Sequence, residues 1–217
     1  MELDYKKGLP IFTVDLEAWN HALHIDAHGV WSNESCDYLL NILKKYNVKA
    51  IFYVLGRFKE EYPKIVERLI SEGHTYGWHG HYHDHLDPGP DECDLYRSPY
   101  WDYTPMPGLS GGFFMRFLPY WLFKKELGNS GILFIHPHDI MINHPKLGNW
   151  LLNLKRQWGL KNARYKLEKV LREVKFGDPK EILEKSKKDI HLLAMERRHM
   201  WRWIWNFRNR LHKSLCS

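Results

Sequence analysis

Apolar positions along this chain fall into short continuous runs that alternate with stretches of helical spacing. The run LPIFTVDLEAW (9–19) stays apolar until it ends in carboxylates, which predicts a buried strand. In SCDYLLNILKKYN (35–47) apolar residues recur every three or four positions, predicting a helix with Ser35 as its N-cap. VKAIFYVLG (48–56) is a second apolar run, closed by Gly56, and EEYPKIVERLISEG (60–73) predicts a helix stopped by Gly73. Strand, helix, strand, helix at this spacing predicts parallel βαβ units. The Pro/Gly/Asp-rich LDPGPDECD (86–94) reads as loop, and SGGFFMRFLPYWLFKKEL (110–127) begins flexible and continues as an aromatic segment. GILFIHPHDI (131–140) predicts a strand ending in polar side chains, NARYKLEKVLREVKFG (162–177) an amphipathic helix, and residues from 181 onward a helical extension.

Composition adds bounds to this pattern. The 217 residues suit one principal domain, 1–180, followed by a tail, 181–217. With 44% hydrophobic and 15% aromatic residues the chain can bury a sizeable core, and 27% charged residues do not describe a disordered chain. Cys36, Cys93 and Cys216 are scattered and odd in number, which suggests neither a disulfide framework nor a zinc knuckle and favours a reducing compartment. The first residues, MELDYKKGLPIFTVD, have the pattern of neither a signal peptide nor a membrane span, so the expectation is a soluble cytoplasmic protein. The formal charge of +6 concentrates in the tail, where Arg197, Arg198, Arg202, Arg208, Arg210 and Lys213 face one acid, Glu196. Arg interleaved with Trp in RRHMWRWIWNFRNRLHK (197–213) suits an interfacial helix on anionic lipid, or base stacking on nucleic acid. Met200, Trp203, Ile204, Phe207 and Leu211 recur at helical spacing, which suits plain packing equally well.

Three strand ends carry ligand-type side chains: Asp15 and Glu17 on the first strand, the cluster His74, His79, His81, His83 and His85 after the second helix, and His136, His138 and Asp139 on a late strand. In α/β barrels functional groups gather at the C-terminal ends of strands, so the three sets together point to a metal site. Along an extended strand residues i and i+4 lie about 13 Å apart, too far to share an ion. In a helical turn their Cβ atoms are roughly 5–6 Å apart. Two histidines can therefore serve one ion only if the segment leaves the strand, and the eligible pairs are His79/His83 and His81/His85. A His₂-carboxylate set with one open position is a common catalytic zinc arrangement.

GHTYGWHGHYHDHL (73–86) resembles the second motif of the metal-dependent polysaccharide deacetylases, in which a Gly-His is followed five residues later by one ligand histidine and four later by another. FTVDLEAW resembles the family's first motif, AIFYVLG its following strand, YRSPYW (96–101) its Arg-x-Pro motif, and FIHPHD its late histidine motif. SGGFFMRFLPYW and NARYKLEKVLREVKFG resemble the C-terminal part of a subgroup associated with exopolysaccharide assembly, and the likeness runs over roughly residues 8–185. The chain departs from the pattern at Leu16, where a second aspartate is usual, and at Gly80, where Ser or Thr is usual. It is also short between His83 and Arg97.

The resemblance implies a distorted, shortened (β/α) barrel that removes N-acetyl groups from an N-acetylated glycan or lipid-linked sugar in surface or exopolysaccharide biosynthesis. The implied metal ligands are Glu17, His79 and His83, holding zinc or, alternatively, cobalt or nickel. Asp15 takes the part of general base, with swapped roles for Asp15 and Glu17 as the variant. His136 is the implied acid, with His138 as competitor; the chain has no clear counterpart of the family's aspartate that orients this histidine, and Asp139 and Asp102 are the candidates. Arg97 orients Asp15, the Tyr100 amide stabilises the oxyanion, and Trp101, with Tyr100, Trp78 and Tyr82, is placed to stack on sugar rings. His81 and His85 are left as bystanders. The tail implies peripheral contact at the cytoplasmic face of a membrane, with lipid preferred to nucleic acid. The competing reading is an inactive, glycan-binding or scaffold relative of the same fold.

Overall fold

The strand β1 (Ile11–Leu16) is buried on both faces. Phe12, Val14 and Leu16 point to one side and Thr13 and Asp15 to the other, and all five are essentially inaccessible to solvent. Such two-sided burial is what a parallel sheet covered on both faces imposes, and it explains why the run is apolar without clean alternation. The computed structural model describes residues 9–18, 34–82, 90, 93–96, 108–142 and 150–186. Beside β1 lie β2 (Ala50–Val54), β3 (Thr75–Trp78), β4 (Leu95–Tyr96) and β5 (Ile132–Ile135), in the order β4-β3-β2-β1-β5. Every pairing is parallel. β2, β3 and β4 are added on one side of β1 and β5 on the other, so the order reverses at β1. In α/β sheets that reversal opens a crevice at the C-terminal strand ends.

Among the described residues, three helices connect the first strands. In α1 (Glu34–Lys45) the acids Glu34 and Asp37 occupy the first turn and Lys44 and Lys45 the last, matching the helix dipole. Its inward face buries Cys36, Leu39, Leu40, Ile42 and Leu43, and full burial of each leucine stabilises by roughly 1.5–3 kcal/mol. Ser35 lies inside this helix and is buried, so it is a packing residue of the first turn, not the expected cap. The single helix expected over 60–73 is two: α2 (Gly56–Glu61) and α3 (Pro63–Ser71). They part at Tyr62, with φ −132° and ψ 53°, because the ring of Pro63 drives the preceding residue out of the helical region and suits the first position of a new helix.

The aromatic segment after residue 110 is helical also, as α4 (Gly112–Met115) and α5 (Tyr120–Ser130), and Gly111 bridges to Phe134 on the outer side of β5. A 3₁₀ turn, Pro137–Ile140, follows β5. Then come α6 (Trp150–Gln157), α7 (Leu160–Glu173) and α8 (Pro179–Ser186). The two-residue β4 sits where turn-forming residues dominate. Asp94 pins it there: its Oδ2 accepts from the Tyr76 amide at 2.8 Å and its own amide donates to the Tyr76 carbonyl at 2.8 Å. The tail from 187 lies outside the described residues.

Candidate functional site

Backbone pairing at the strand ends fixes the candidate residues before any side chain meets another. The Leu55 amide donates to the Leu16 carbonyl at 3.1 Å and the His79 amide to the Val54 carbonyl at 3.0 Å, aligning the ends of β1, β2 and β3. Immediately after His79 the chain turns, with Gly80 at φ +77°, a conformation that costs an L-residue about 1–2 kcal/mol. The opening amides of α2 hold the turn: Gly56 N–H donates to the Gly80 carbonyl at 2.9 Å and Arg57 N–H to the His81 carbonyl at 3.4 Å. A Cβ at Gly56 would stand 2.5 Å from His81 Nδ1, so this close approach requires glycine there as well. The segment thus leaves the strand where two histidines serving one ion require it to leave.

Four side chains converge at these ends. His79 Nε2 is 3.4 Å from Asp15 Oδ2, and His136 Nε2 is 3.8 Å from the same oxygen and 3.3 Å from Glu17 Oε1. Both carboxylates are buried, and two neighbouring buried negative charges require positive compensation. Carboxylate oxygens with imidazole nitrogens are the donors that a borderline divalent cation takes, so in donor chemistry Glu17 and His79 suit such an ion, with Asp15 beside them.

His136 is set from behind. Its amide donates to Asp139 Oδ2 at 2.9 Å, its Nδ1 is 3.5 Å from that oxygen, and the two residues close a reciprocal capping box over the 3₁₀ turn. Arg116, itself buried, donates from Nη2 to Asp139 Oδ1 at 3.3 Å and to the His138 carbonyl at 3.4 Å. A Cβ at Gly112 would collide with the Asp139 carboxylate, so α4 lies against it backbone-first. Burial pushes the His136 pKa down, but the Asp139 hydrogen bond and the charges of Asp15, Asp139 and Glu17 outweigh it and raise the value to about 9. Burial alone would lift Asp139; His136, His138 and Arg116 instead hold it below the usual carboxylate range. Burial, with the His136 charge, lowers His138 to about 3. The rings of His136 and His138 stack at 4.6 Å and 20°, and His136 is the ring that approaches Asp15 and Glu17, at 3.8 and 3.3 Å.

His136, His138 and Asp139 also offer one ligand atom each within 4.8 Å of one another. The stacked rings present faces, not lone pairs, to each other, and Asp139 is already engaged by Arg116 and the His136 amide. This group reads better as an orienting network than as a cation cage.

The other residues singled out by sequence separate clearly. His83, His85, Arg97, Tyr100, Trp101 and Asp102 lie outside the described residues. His81 turns toward Glu60 at 3.8 Å, Trp78 packs into the core, and Tyr82 is exposed with the Arg57 guanidinium 5.4 Å from its ring. His74 is buried and its Nδ1 accepts from the Ala50 amide at 3.2 Å, so the Gly-His histidine anchors β2 to β3. Sequence reasoning passed over Arg116 and the α7 side chains behind it. Asn162 donates to the Arg116 carbonyl at 2.8 Å and Lys166 to the carbonyls of Met115 and Leu118, satisfying the end of α4. One signal existed: Arg116 is the lone charge in the apolar run GGFFMRFLPYW.

Comparison with known proteins follows this division of the chain. Residues 20–105 match the family model "Polysaccharide deacetylase", and residues 100–184 match a domain of unknown function. A 48-residue stretch is 46% identical to a peptidoglycan-N-acetylglucosamine deacetylase of Bacillus cereus, covering 22% of this chain and 18% of that protein. A 61-residue stretch is 38% identical to the peptidoglycan-N-acetylmuramic acid deacetylase PdaA of Bacillus subtilis, covering 26% and 23%. The matched stretch thus spans about a fifth of the length of each of these relatives. The solved peptidoglycan deacetylase PdaC of Bacillus subtilis aligns over 90% of this chain and 99% of its own, at TM-score 0.47 and 16% identity. A CE4-family pseudoenzyme from Bacillus anthracis aligns over 81% and 66%, at TM-score 0.43 and 14% identity.

Proposed function

We propose, from the match of residues 20–105 to the polysaccharide deacetylase family model, that the chain is a metal-dependent hydrolase releasing acetate from an N-acetylated sugar or polysaccharide. The observation that carries the proposal is the convergence of Asp15, Glu17, His79 and His136 from the ends of three parallel strands. Glu17 and His79, with His83 by family resemblance, hold the cation. A divalent ion bound there supplies Lewis acidity, polarising the acetamide carbonyl and making water more acidic. Asp15 takes the proton of the attacking water, and His136 Nε2 delivers one to the departing sugar amine as the C–N bond breaks. Against burial, Asp139, with the Asp15 and Glu17 charges, raises the His136 pKa in the metal-free chain, the direction that favours a proton-donating ring. Asp139 holds that ring and Arg116 holds Asp139.

The resemblance assigns the remaining parts: Arg97 orients Asp15, the Tyr100 amide meets the oxyanion, and Trp101 lies on the sugar. Zinc is the proposed ion, with cobalt and nickel as alternatives. Exopolysaccharide or surface-glycan biosynthesis at the cytoplasmic face is the proposed setting, supported by the subgroup-like C-terminal segment and the basic, Trp-rich tail.

Metal analysis of the purified protein, coupled to acetate release from a panel of N-acetylated glycans, tests this. Stoichiometric metal with acetate release is the expected result. A protein that binds metal and glycan yet releases no acetate from any of them is the inactive relative instead.

A further inference from the structure

The helix α6 turns Trp150, Leu151 and Leu154 outward. Trp150, Leu151 and Leu154 are 70%, 56% and 55% exposed, and Trp158, one turn beyond, is 66% exposed. Trp150, Leu154 and Trp158 recur every fourth residue and so form one stripe. Phe117 meets Trp158 edge-on at 5.9 Å and Phe113 packs on Phe117 at 5.2 Å, carrying the stripe across to α4. Single exposed hydrophobics are ordinary; a connected series of aromatic and leucine side chains is an interaction surface.

The charge around it indicates the partner. From Ile140 through Leu167 the chain has no Asp or Glu, but it has Lys146, Lys155, Arg156, Lys161, Arg164 and Lys166. Arg164 and Lys166 are occupied internally, by Glu34 with the Ile140 carbonyl and by the α4 carbonyls. Of the other four, Lys155 and Arg156 fall within residues 150–158 in sequence, and Lys146 and Lys161 to either side of them. A stripe of Trp and Leu in a stretch of sequence rich in Lys and Arg and without carboxylates has the composition of a helix lying in the headgroup region of an anionic bilayer. A second copy of the chain is a poor occupant, because a self-complementary contact would bring these like charges together.

We propose that the α6–α4 stripe is a docking surface for an anionic lipid bilayer. It is distinct from the basic C-terminal tail and does not require the tail. Its inner end, Phe113, adjoins Gly112, which packs against Asp139 behind His136. Docking therefore sets the candidate site at the membrane surface and fits a membrane-attached glycan as substrate; that second clause alone rests on the deacetylase reading.

Co-sedimentation of the full chain with phosphatidylcholine vesicles, with and without phosphatidylglycerol, tests the docking surface independently of catalysis. The wild type is expected on the anionic vesicles and to be released by salt. The variant Trp150→Ala/Leu154→Ala/Trp158→Ala, whose side chains are exposed, is expected to keep its circular dichroism and lose binding on the order of tenfold. The tail variant Trp201→Ala/Trp203→Ala/Trp205→Ala is expected to retain binding. The proposal is overturned by absence of wild-type binding to both vesicle types. It is equally overturned by unchanged binding in the α6 variant, or by a concentration-dependent dimer that this variant abolishes. Failure of acetate release with lipid binding intact would count against the catalytic reading alone.

Discussion

Asp15, Glu17, His79 and His136 share one small volume, yet substitution separates them. Asp15→Asn keeps an oxygen at the same place but removes the base, so metal content is expected to persist while kcat falls on the order of 10²–10⁴-fold; unaltered turnover would sink the base assignment. Arg116 acts one step removed, through Asp139 at 3.3 Å. Arg116→Met is therefore expected to lower kcat with KM little changed and metal retained, and Arg116→Lys to restore part of the loss. Equal changes in kcat and metal content would mark Arg116 as merely structural. The residue scale is also where sequence was most informative. Spacing alone left two histidine pairs open and family resemblance chose between them, and the structure turns His81 to Glu60. Arg116 showed only as a lone charge in an apolar run, because its role depends on a contact 23 positions away, which no local pattern encodes.

Elements were legible where the signal is periodic and lost where it is a single residue. The leucine spacing of α1 and the apolar runs of β1, β2 and β5 read directly, because burial on one or both faces dictates them. The break at Tyr62 was written in Pro63 but overridden by the apolar periodicity around it. β4 is two residues long, too short for any period, and exists through the Asp94 side chain. The turn after β3 gives this scale its prediction. Gly80 adopts φ +77°, so Gly80→Ala is expected to destabilise the fold by about 1–2 kcal/mol and to weaken metal binding, since the turn positions His79. Parallel urea titration and metal titration check both halves, and unchanged metal affinity counts against the turn as the device that aims His79.

For the molecule as a whole, histidines make stability depend on pH with opposite signs. Burial first, then the Lys49 charge, lowers His74 to about 4, against about 6.5 for an unfolded histidine. A depressed histidine disfavours the fold when the unfolded chain can take up a proton that the folded one refuses. Stability is therefore lost as pH falls below about 6.5, down to about 4, by roughly 2 kcal/mol on reaching pH 5. His136 has a raised pKa, so in the metal-free protein its contribution is full below about 6.5 and is lost as pH rises through about 9. Denaturation of the metal-free protein is expected to show greatest stability near pH 6.5, and His74→Gln to make the acidic limb shallower, leaving the part due to His138, without altering the alkaline limb. An unaltered acidic limb in that variant would remove His74 as its cause.

The reversal of strand order at β1 has a consequence for how chemistry and folding are divided. Asp15, Glu17 and His79 are assembled by local βαβ contacts within the first 80 residues, whereas His136, Asp139 and Arg116 arrive only when β5 pairs with β1, joining Phe12 to Leu133 across the chain. Loop-closure entropy makes that long-range pairing the slow event of folding. A polypeptide emerging from the ribosome would thus bring Asp15, Glu17 and His79 together before His136 and the network behind it. A lesion confined to the later half is expected to leave those three side chains in place with nothing facing them from β5.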